Sequence, residues 1–337
     1  MVNALLSEAC WGTWDGAAAA PAEPEALRRA AASWRLVKGP TTEAQEGLVT
    51  YAELLEEVLR MEKKELQALK NTFTEAGQPG EAVREAFERL QAQLRLPEGV
   101  ALPCAPPAVG EGRHFLLPSF LNLVLRLQAQ GRDFRLVFRT FGVDTADVIR
   151  EFNLFCRGEH PCYPETPAAL RERAVELPNH SGEWYRDDAG LHLALCVRCG
   201  GAELVQQQHG LSQCAAALRA RLFDSAAPVL TMALRDYFPY WRSHKEADDS
   251  GKVLLVEPVT DGAAHHIFFD DNIERGRAHI ADARSAETGE PLPFSETQGV
   301  YLVKAEPLQA IQDPEYFVTA VEAAEEALAR RAASAAS

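Results

Sequence analysis

Apolar runs separated by glycine and polar turns predict alternating helices and strands in the larger part of the chain. Residues 115–130 carry an apolar face at helical spacing, with Pro118 near the start and Gly131 directly after the end. A short apolar run at 134–138 predicts a buried strand, and residues 144–155 predict the next helix. Helix, glycine, buried strand, polar turn and helix in this order are typical of an α/β fold with right-handed crossovers.

The remaining pattern is helical before this region and mixed after it. Residues 41–96 repeat apolar side chains at steps of three and four, which predicts two helices joined by a turn at 74–80. The proline- and glycine-rich residues 97–112 predict a linker. Further along, the pattern predicts a β-hairpin at 183–195 and a long helix at 211–236. It then predicts strands at 252–256, 266–269 and 300–303, and a closing helix at 311–331.

These elements together predict an α/β fold after residue 112, with a helical segment and a linker before it. The last residues, 331–337, predict a disordered tail.

The composition narrows the function classes. The 337 residues are 47% hydrophobic, enough for a large core, and their net charge is −15. An acidic chain argues against general nucleic-acid binding, because phosphate backbones need a basic face. No apolar run approaches the ~20 residues of a membrane helix. Seven cysteines, an odd number, do not suit a disulfide scaffold, so we expect a reducing, cytoplasmic location.

Two adjacent carboxylates end the apolar run at 266–269. Ligands of open parallel sheets bind beyond the carboxyl ends of the strands, which is where Asp270 and Asp271 are expected. Carboxylate oxygens suit Mg²⁺, often completed by substrate phosphate and water, and Asn272 adds an amide oxygen. The alternative is a strand that runs into a polar turn, with Asp271 or Asn272 capping the next segment.

A hydroxyl and an ammonium precede this acid pair in the same part of the chain. Thr140 follows the predicted strand at 134–138, and Lys252 begins another predicted strand. A hydroxyl and an amine neutralise phosphoryl oxygens while the acids hold Mg²⁺, so this set has the parts of a phosphoryl-transfer site.

These motifs resemble the second, third and fourth motifs of the haloacid dehalogenase superfamily of phosphohydrolases. Residues 134–140 look like the second motif and residues 267–271 like the fourth. Within that superfamily, residues 138–142, 151–153 and 266–273 are similar to a group of uncharacterised eukaryotic proteins. The resemblance covers roughly residues 115 to 317. It implies an α/β three-layer sandwich with a mostly parallel, Rossmann-like sheet and an inserted helical cap. The implied segments are an N-terminal remnant of the α/β core at 1–40, the helical cap and linker at 41–112, and the α/β core at 113–330 with a β-hairpin insertion near 183–206.

The resemblance implies roles for the motif residues. Thr140 is expected to bind the transferring phosphoryl group, and Lys252 to stabilise its charge, with Lys245 as a rival for the third motif. Asp270 and Asp271 are expected to hold Mg²⁺, with assistance from Asn272. The implied ligand is a small phosphorylated molecule.

One part of the family pattern is missing. The first motif is an apolar strand followed by Asp-x-Asp, which supplies the nucleophile and the general acid/base, and this sequence contains no Asp-x-Asp. Residues 2–10 look instead like the helix that comes after that motif. We therefore expect a phosphohydrolase-type protein that is truncated or catalytically degenerate. Either its sequence starts after the first motif, or the protein has lost the catalytic residues of that motif. The alternative is a non-catalytic binding or assembly protein on the same fold.

Cysteine and histidine positions offer weaker signals. Cys196 and Cys199 form one CxxC, but a structural zinc site needs four ligands, and the companions Cys214, His192 and His209 are irregularly spaced. We expect ordinary thiols there. Cys156 and Cys162 lie on either side of His160, and they too are either metal ligands or ordinary thiols. His265 and His266 either support the acid pair or are ordinary packed or solvated residues.

Overall fold

The computed structural model describes residues 1–14, 23–100, 102, 112–199, 202–224, 228–257 and 264–335. The chain divides into two compact units. Unit 1 comprises Met1–Arg95 with Glu306–Gln312, and unit 2 comprises Leu96–Ala305 with Asp313–Ser337. The mixed α/β class predicted from the sequence is confirmed.

Unit 1 combines short helices with a small antiparallel sheet in the order β2–β1–β3. A π-helical turn, Leu54–Val58, extends α3, and a 3₁₀ turn, Glu81–Val83, precedes α5. The elements are α1 (Val2–Ala9), β1 (Trp11–Thr13), α2 (Pro24–Ala32), β2 (Arg35–Lys38), β3 (Val49–Thr50), α3 (Tyr51–Glu53), α4 (Lys63–Asn71), α5 (Arg84–Gln93) and α11 (Pro307–Gln312).

Three aromatic rings form the centre of unit 1. Trp34 lies 5.6 Å from Tyr51 and 5.9 Å from Phe73 between ring centroids, and all three are fully buried. Large buried aromatic side chains of this kind dominate the energy of a small core. Trp34 therefore packs directly on the helical segment. Whether this unit acts as a cap stays a prediction.

Unit 2 contains a five-stranded mixed sheet in the order β4–β8–β5–β6–β7. Its first three strands are parallel, and β5, β6 and β7 are joined by antiparallel pairing. Parallel pairs β9–β11 and β10–β12 form two further small sheets. The strands are β4 (Leu136–Thr140), β5 (Ser181–Asp187), β6 (Gly190–Cys199), β7 (Ala202–His209), β8 (Thr231–Asp236), β9 (Lys252–Val256), β10 (Phe268–Asp270), β11 (Ala281–Ser285) and β12 (Leu302–Lys304).

Helices pack beside these strands. Gly131, with φ of 64°, follows α6 as predicted, and the predicted hairpin at 183–195 is the β5–β6 pair. Leu211–Arg219 forms α8, which continues as a π-helical turn at Ala220–Asp224. The helices of unit 2 are α6 (Pro118–Ala129), α7 (Thr145–Arg157), α8 (Leu211–Arg219), α9 (Phe238–Ser243), α10 (Phe294–Thr297) and α12 (Tyr316–Ala335).

Two sequence expectations differ from the structure at helix ends. The predicted helix at 211–236 is wrong in its last part, because Thr231–Asp236 is a nearly fully buried strand between β4 and β5. The expected tail from residue 331 is helical as far as Ala335, because α12 continues to that residue. The last two residues lie outside the described part.

Candidate functional site at the strand ends

The structure brings Lys252 and Asp270 into direct contact. Lys252 begins β9 and Asp270 ends β10, and Nζ donates to Oδ2 at 2.8 Å. The two side chains are only 7% and 8% exposed, so this is a buried ion pair. The rival Lys245 is exposed in the loop after α9, with φ of 58°, and has no part in this pair.

Aromatic rings surround the Lys252 ammonium. Nζ lies 5.1 Å from the ring centroid of Phe141 and 5.8 Å from that of Phe268. Cation–π attraction strengthens when a site is shielded from water, as this one is. Because Phe141 directly follows Thr140, the end of β4 lies beside the ion pair.

Thr140 itself closes a local turn. Its Oγ1 accepts a hydrogen bond from the Gly142 amide at 2.8 Å and donates to Asp144 Oδ1 at 3.2 Å. Threonine hydroxyls commonly stabilise turns in this way. A phosphoryl group bound by this hydroxyl would have to replace Asp144 as its partner.

Asp271 and Asn272 are exposed beyond the end of β10. The backbone amide and Nδ2 of Asn272 donate to Asp270 Oδ1 at 3.0 and 3.1 Å, and Nδ2 also donates to Asp271 Oδ1 at 3.0 Å. The backbone bond is an Asx turn, so the polar-turn alternative describes the local geometry. Asn272 acts here as a donor that bridges both acids.

A second buried ion pair joins the ends of β4 and β8, and the sequence did not predict it. The Arg139 guanidinium of β4 binds both carboxylate oxygens of Asp236 at the end of β8, one of them at 3.1 Å, and also donates to the Val253 carbonyl. Both side chains are buried. No partner for Arg139 was visible from the sequence, because residues 231–236 were predicted to be helical.

A small depression of about 10 Å³ lies next to these strand ends. Its wall combines aromatic rings with charged groups and the glycine that precedes Lys252. The lining includes Phe141, Trp184, Tyr185, Arg186, Asp236 and Gly251. This depression has room for about one water molecule, so it is far smaller than a typical small-ligand pocket.

A different cluster has the spacing of a metal centre. The ligand atoms of His114, Glu151 and His160 lie within 4.8 Å of one another. Glu151 Oε1 is 2.7 Å from His114 Nδ1 and 3.2 Å from His160 Nε2, while Oε2 accepts from the Phe115 and Leu116 amides at 2.5 and 2.9 Å. Burial acts to raise the pKa of Glu151, but hydrogen bonds from both histidines and a backbone amide outweigh it and lower the pKa to about 2.

The hydrogen bonds of His160 argue against a metal at this cluster. His160 Nδ1 accepts from the Cys162 amide at 3.1 Å, so a neutral ring carries its proton on Nε2, pointing at Glu151. Metal-bound histidines instead donate from the nitrogen that does not bind the metal. The cluster is a closed hydrogen-bond group that ties α7 to the segment before α6.

Among the residues that the structure describes, the other cysteine and histidine candidates form no cluster of three or more metal ligands. The Cys199 side chain lies outside those residues, so a zinc site at Cys196 and Cys199 stays untested. Cys156 is buried, and its burial raises the thiol pKa to about 12. His265 and His266 are partly buried, which lowers the pKa of both rings, and His265 Nε2 lies 2.8 Å from the Val300 carbonyl.

No protein-family model, curated protein or solved structure matches this chain. The family resemblance therefore rests on the motifs alone. Within the described residues, no helix is both long enough and apolar enough to cross a membrane.

Proposed function

We propose that unit 2 is of haloacid dehalogenase type and binds a small phosphorylated molecule together with Mg²⁺. The observation that carries the proposal is the buried ion pair between Lys252 and Asp270. Burying two charges costs several kcal/mol unless partners compensate, so such pairs are uncommon away from sites that need them.

The proposed roles follow from the position of each group. The Lys252 ammonium supplies positive charge to a phosphoryl group, and Asp270 with the exposed Asp271 supplies oxygens to Mg²⁺. Asn272 holds both acids in place through its amide. Because Asp271 is exposed whereas Asp270 is buried and paired with Lys252, Mg²⁺ would bind Asp271 first, and water and ligand oxygens would complete its shell.

The free strand edges support the family assignment. Among the described strands, β4 pairs only with β8 and β10 pairs only with β12. The Arg139 guanidinium of β4 lies 5.8 Å from the ring centroid of Phe268 of β10, so the two strands lie near each other. Two nearby strands with open edges are compatible with the mostly parallel sheet of a three-layer sandwich that the family resemblance implies.

Calorimetric titration of the full chain with Mg²⁺ and inorganic phosphate tests the binding. We expect Asp271→Ala to weaken Mg²⁺ at least tenfold, since it removes an exposed carboxylate without disturbing the core. Asp249→Ala, at the exposed residue of another adjacent acidic pair, is the matched control. For phosphate, Lys252→Ala should abolish binding and Lys245→Ala should leave it unchanged. Equal affinities in all four variants would refute the site.

Turnover is a separate question. The sequence contains no Asp-x-Asp, so we expect no release of phosphate from a phosphate ester by covalent catalysis. Robust Mg²⁺-dependent phosphatase activity that Asp270→Ala abolishes would show that the protein is an active enzyme.

A cytoplasmic, reducing location suits this function, because the described cysteines are free thiols.

Assembly through β7 is a second candidate function. This strand lies at the edge of the five-stranded sheet, and its Leu204 and Val205 are 50% and 61% exposed. Exposed edge strands pair readily with other chains. Sedimentation velocity over a range of concentrations should then show association that Val205→Lys removes, and a concentration-independent monomer would exclude it.

A further inference from the structure

Two histidines face each other across the β6–β7 pair. His192 and His209 are partners in the strand register, and their Nδ1 atoms are 2.8 Å apart. The His192 side chain is partly exposed, and His209 is exposed. The pair is separate from the ion pairs at the strand ends.

The position of one proton follows from a neighbouring carboxylate. His192 Nε2 is 3.0 Å from Asp187 Oδ1, and an ionised carboxylate only accepts, so Nε2 carries the proton. This hydrogen bond also lowers the pKa of Asp187. In the neutral ring, Nδ1 of His192 then carries a lone pair, which accepts a hydrogen bond from the protonated Nδ1 of His209.

We propose that His192 and His209 bind a borderline divalent cation, represented by Zn²⁺, through their two Nδ1 atoms. Zinc–nitrogen bonds of ~2.0–2.1 Å in a tetrahedral shell place two ligand nitrogens roughly 3.3 Å apart. The present separation has to widen by about half an ångström, which exposed side chains permit. The His209 proton moves to its Nε2, and water fills the other positions.

Asp187 gives this pair the support that metal-binding histidines usually have. A carboxylate that accepts the proton of the nitrogen not bound to the metal fixes the ring and raises its basicity. Cys196 lies on the same face of β6 as His192, but four residues along a strand correspond to roughly 13 Å. The CxxC cysteine therefore does not join this site, and the first ligands are two imidazoles.

The ligand type separates this site from the proposed magnesium site. Imidazole nitrogen suits Zn²⁺, Ni²⁺ and Cu²⁺, whereas Mg²⁺ prefers oxygen ligands. Competition against a chromophoric chelator measures Zn²⁺ affinity, and Mg²⁺ in the same assay is the negative control.

The test compares single variants of the full chain. We expect one Zn²⁺ per chain at this site, with affinity at least tenfold lower in His192→Gln and in His209→Gln. The matched control is His244→Gln, which removes an exposed histidine beside Tyr240. Asp187→Asn should weaken binding by about tenfold, because the ring loses its acceptor but keeps its ligand atom.

A spectroscopic readout counts the ligands directly. With one equivalent of Cu²⁺, electron paramagnetic resonance should show two imidazole nitrogens in the parent protein and one in either glutamine variant. Unchanged Zn²⁺ affinity and unchanged nitrogen coupling in both variants would overturn the proposal. Zinc bound at the cysteines or at Glu151 would produce that outcome.

Discussion

Replacing Glu151 by glutamine tests the strongest electrostatic feature of unit 2. The carboxylate is 1% exposed and receives hydrogen bonds from two histidines and two backbone amides. Its pKa falls from 4.5 to about 2 on folding. At about 1.4 kcal/mol per pH unit, the charged form stabilises the fold by about 3 kcal/mol at neutral pH.

The sign of the pH dependence follows from the lowered pKa. The stabilisation is complete above the unfolded value of 4.5 and is lost as the pH falls towards about 2, because the carboxylate must then take up a proton. Glutamine has no charge to lose. Glu151→Gln should therefore be about 3 kcal/mol less stable at neutral pH, and the difference from the parent should shrink in acid.

Urea unfolding of the parent and the variant between about pH 7 and about pH 3 measures this difference. Amide hydrogen exchange at residues 115 and 116 reads the same effect locally, since Glu151 accepts from both amides. Glu159→Gln, an exposed glutamate shortly after α7, is the matched control. Equal stability of Glu151→Gln and the parent at neutral pH would show that the hydrogen bonds do not hold the charge as inferred.

Three further predictions concern backbone contact, ion pairing and thiol reactivity. Gly251→Ala places a Cβ 2.3 Å from the Ile280 carbonyl oxygen, so unfolding free energy should fall by about 2 kcal/mol in urea titration, whereas Gly276→Ala meets nothing and should be neutral. Asp236→Asn leaves the Arg139 guanidinium buried without a countercharge, so the free energy of unfolding should fall by about 3–5 kcal/mol, which thermal unfolding measures. The double variant that also carries Arg139→Met should recover most of this stability. Burial raises the pKa of Cys156 to about 12, so iodoacetamide should label it far more slowly in native protein than in urea, as mass spectrometry can show.

Local signals predicted those elements whose residues decide their own structure. Pro118 and Gly131 mark the two ends of α6, and the turn at residues 188–190 produces the β5–β6 hairpin. In these places the backbone preference of a few residues is enough. The Thr231–Asp236 strand failed the same test, because methionine, alanine, leucine and arginine are strong helix formers. Its strand conformation comes from pairing with β4 and β5, which are distant in sequence.

The candidate site shows the same limit. Residue types selected Lys252 and Asp270, and the structure places them in contact, but their chemical roles stay predictions. The Arg139–Asp236 pair and the His192–His209 pair depend on strand order and register, which are set by tertiary packing. The amino-acid sequence alone gave no reason to pair Arg139 with Asp236 or His192 with His209.

The long separation between α6 and α12 has a consequence for synthesis. These helices pack together, with Arg126 bound to Glu315 across 189 residues of sequence and Phe120 against Phe317. At about 5–20 residues per second, a ribosome needs roughly 10 to 40 seconds to make that interval. The surface of α6 around Phe120 and Arg126 therefore stays uncovered by α12 until synthesis is nearly complete, so this contact is among the last of unit 2 to form.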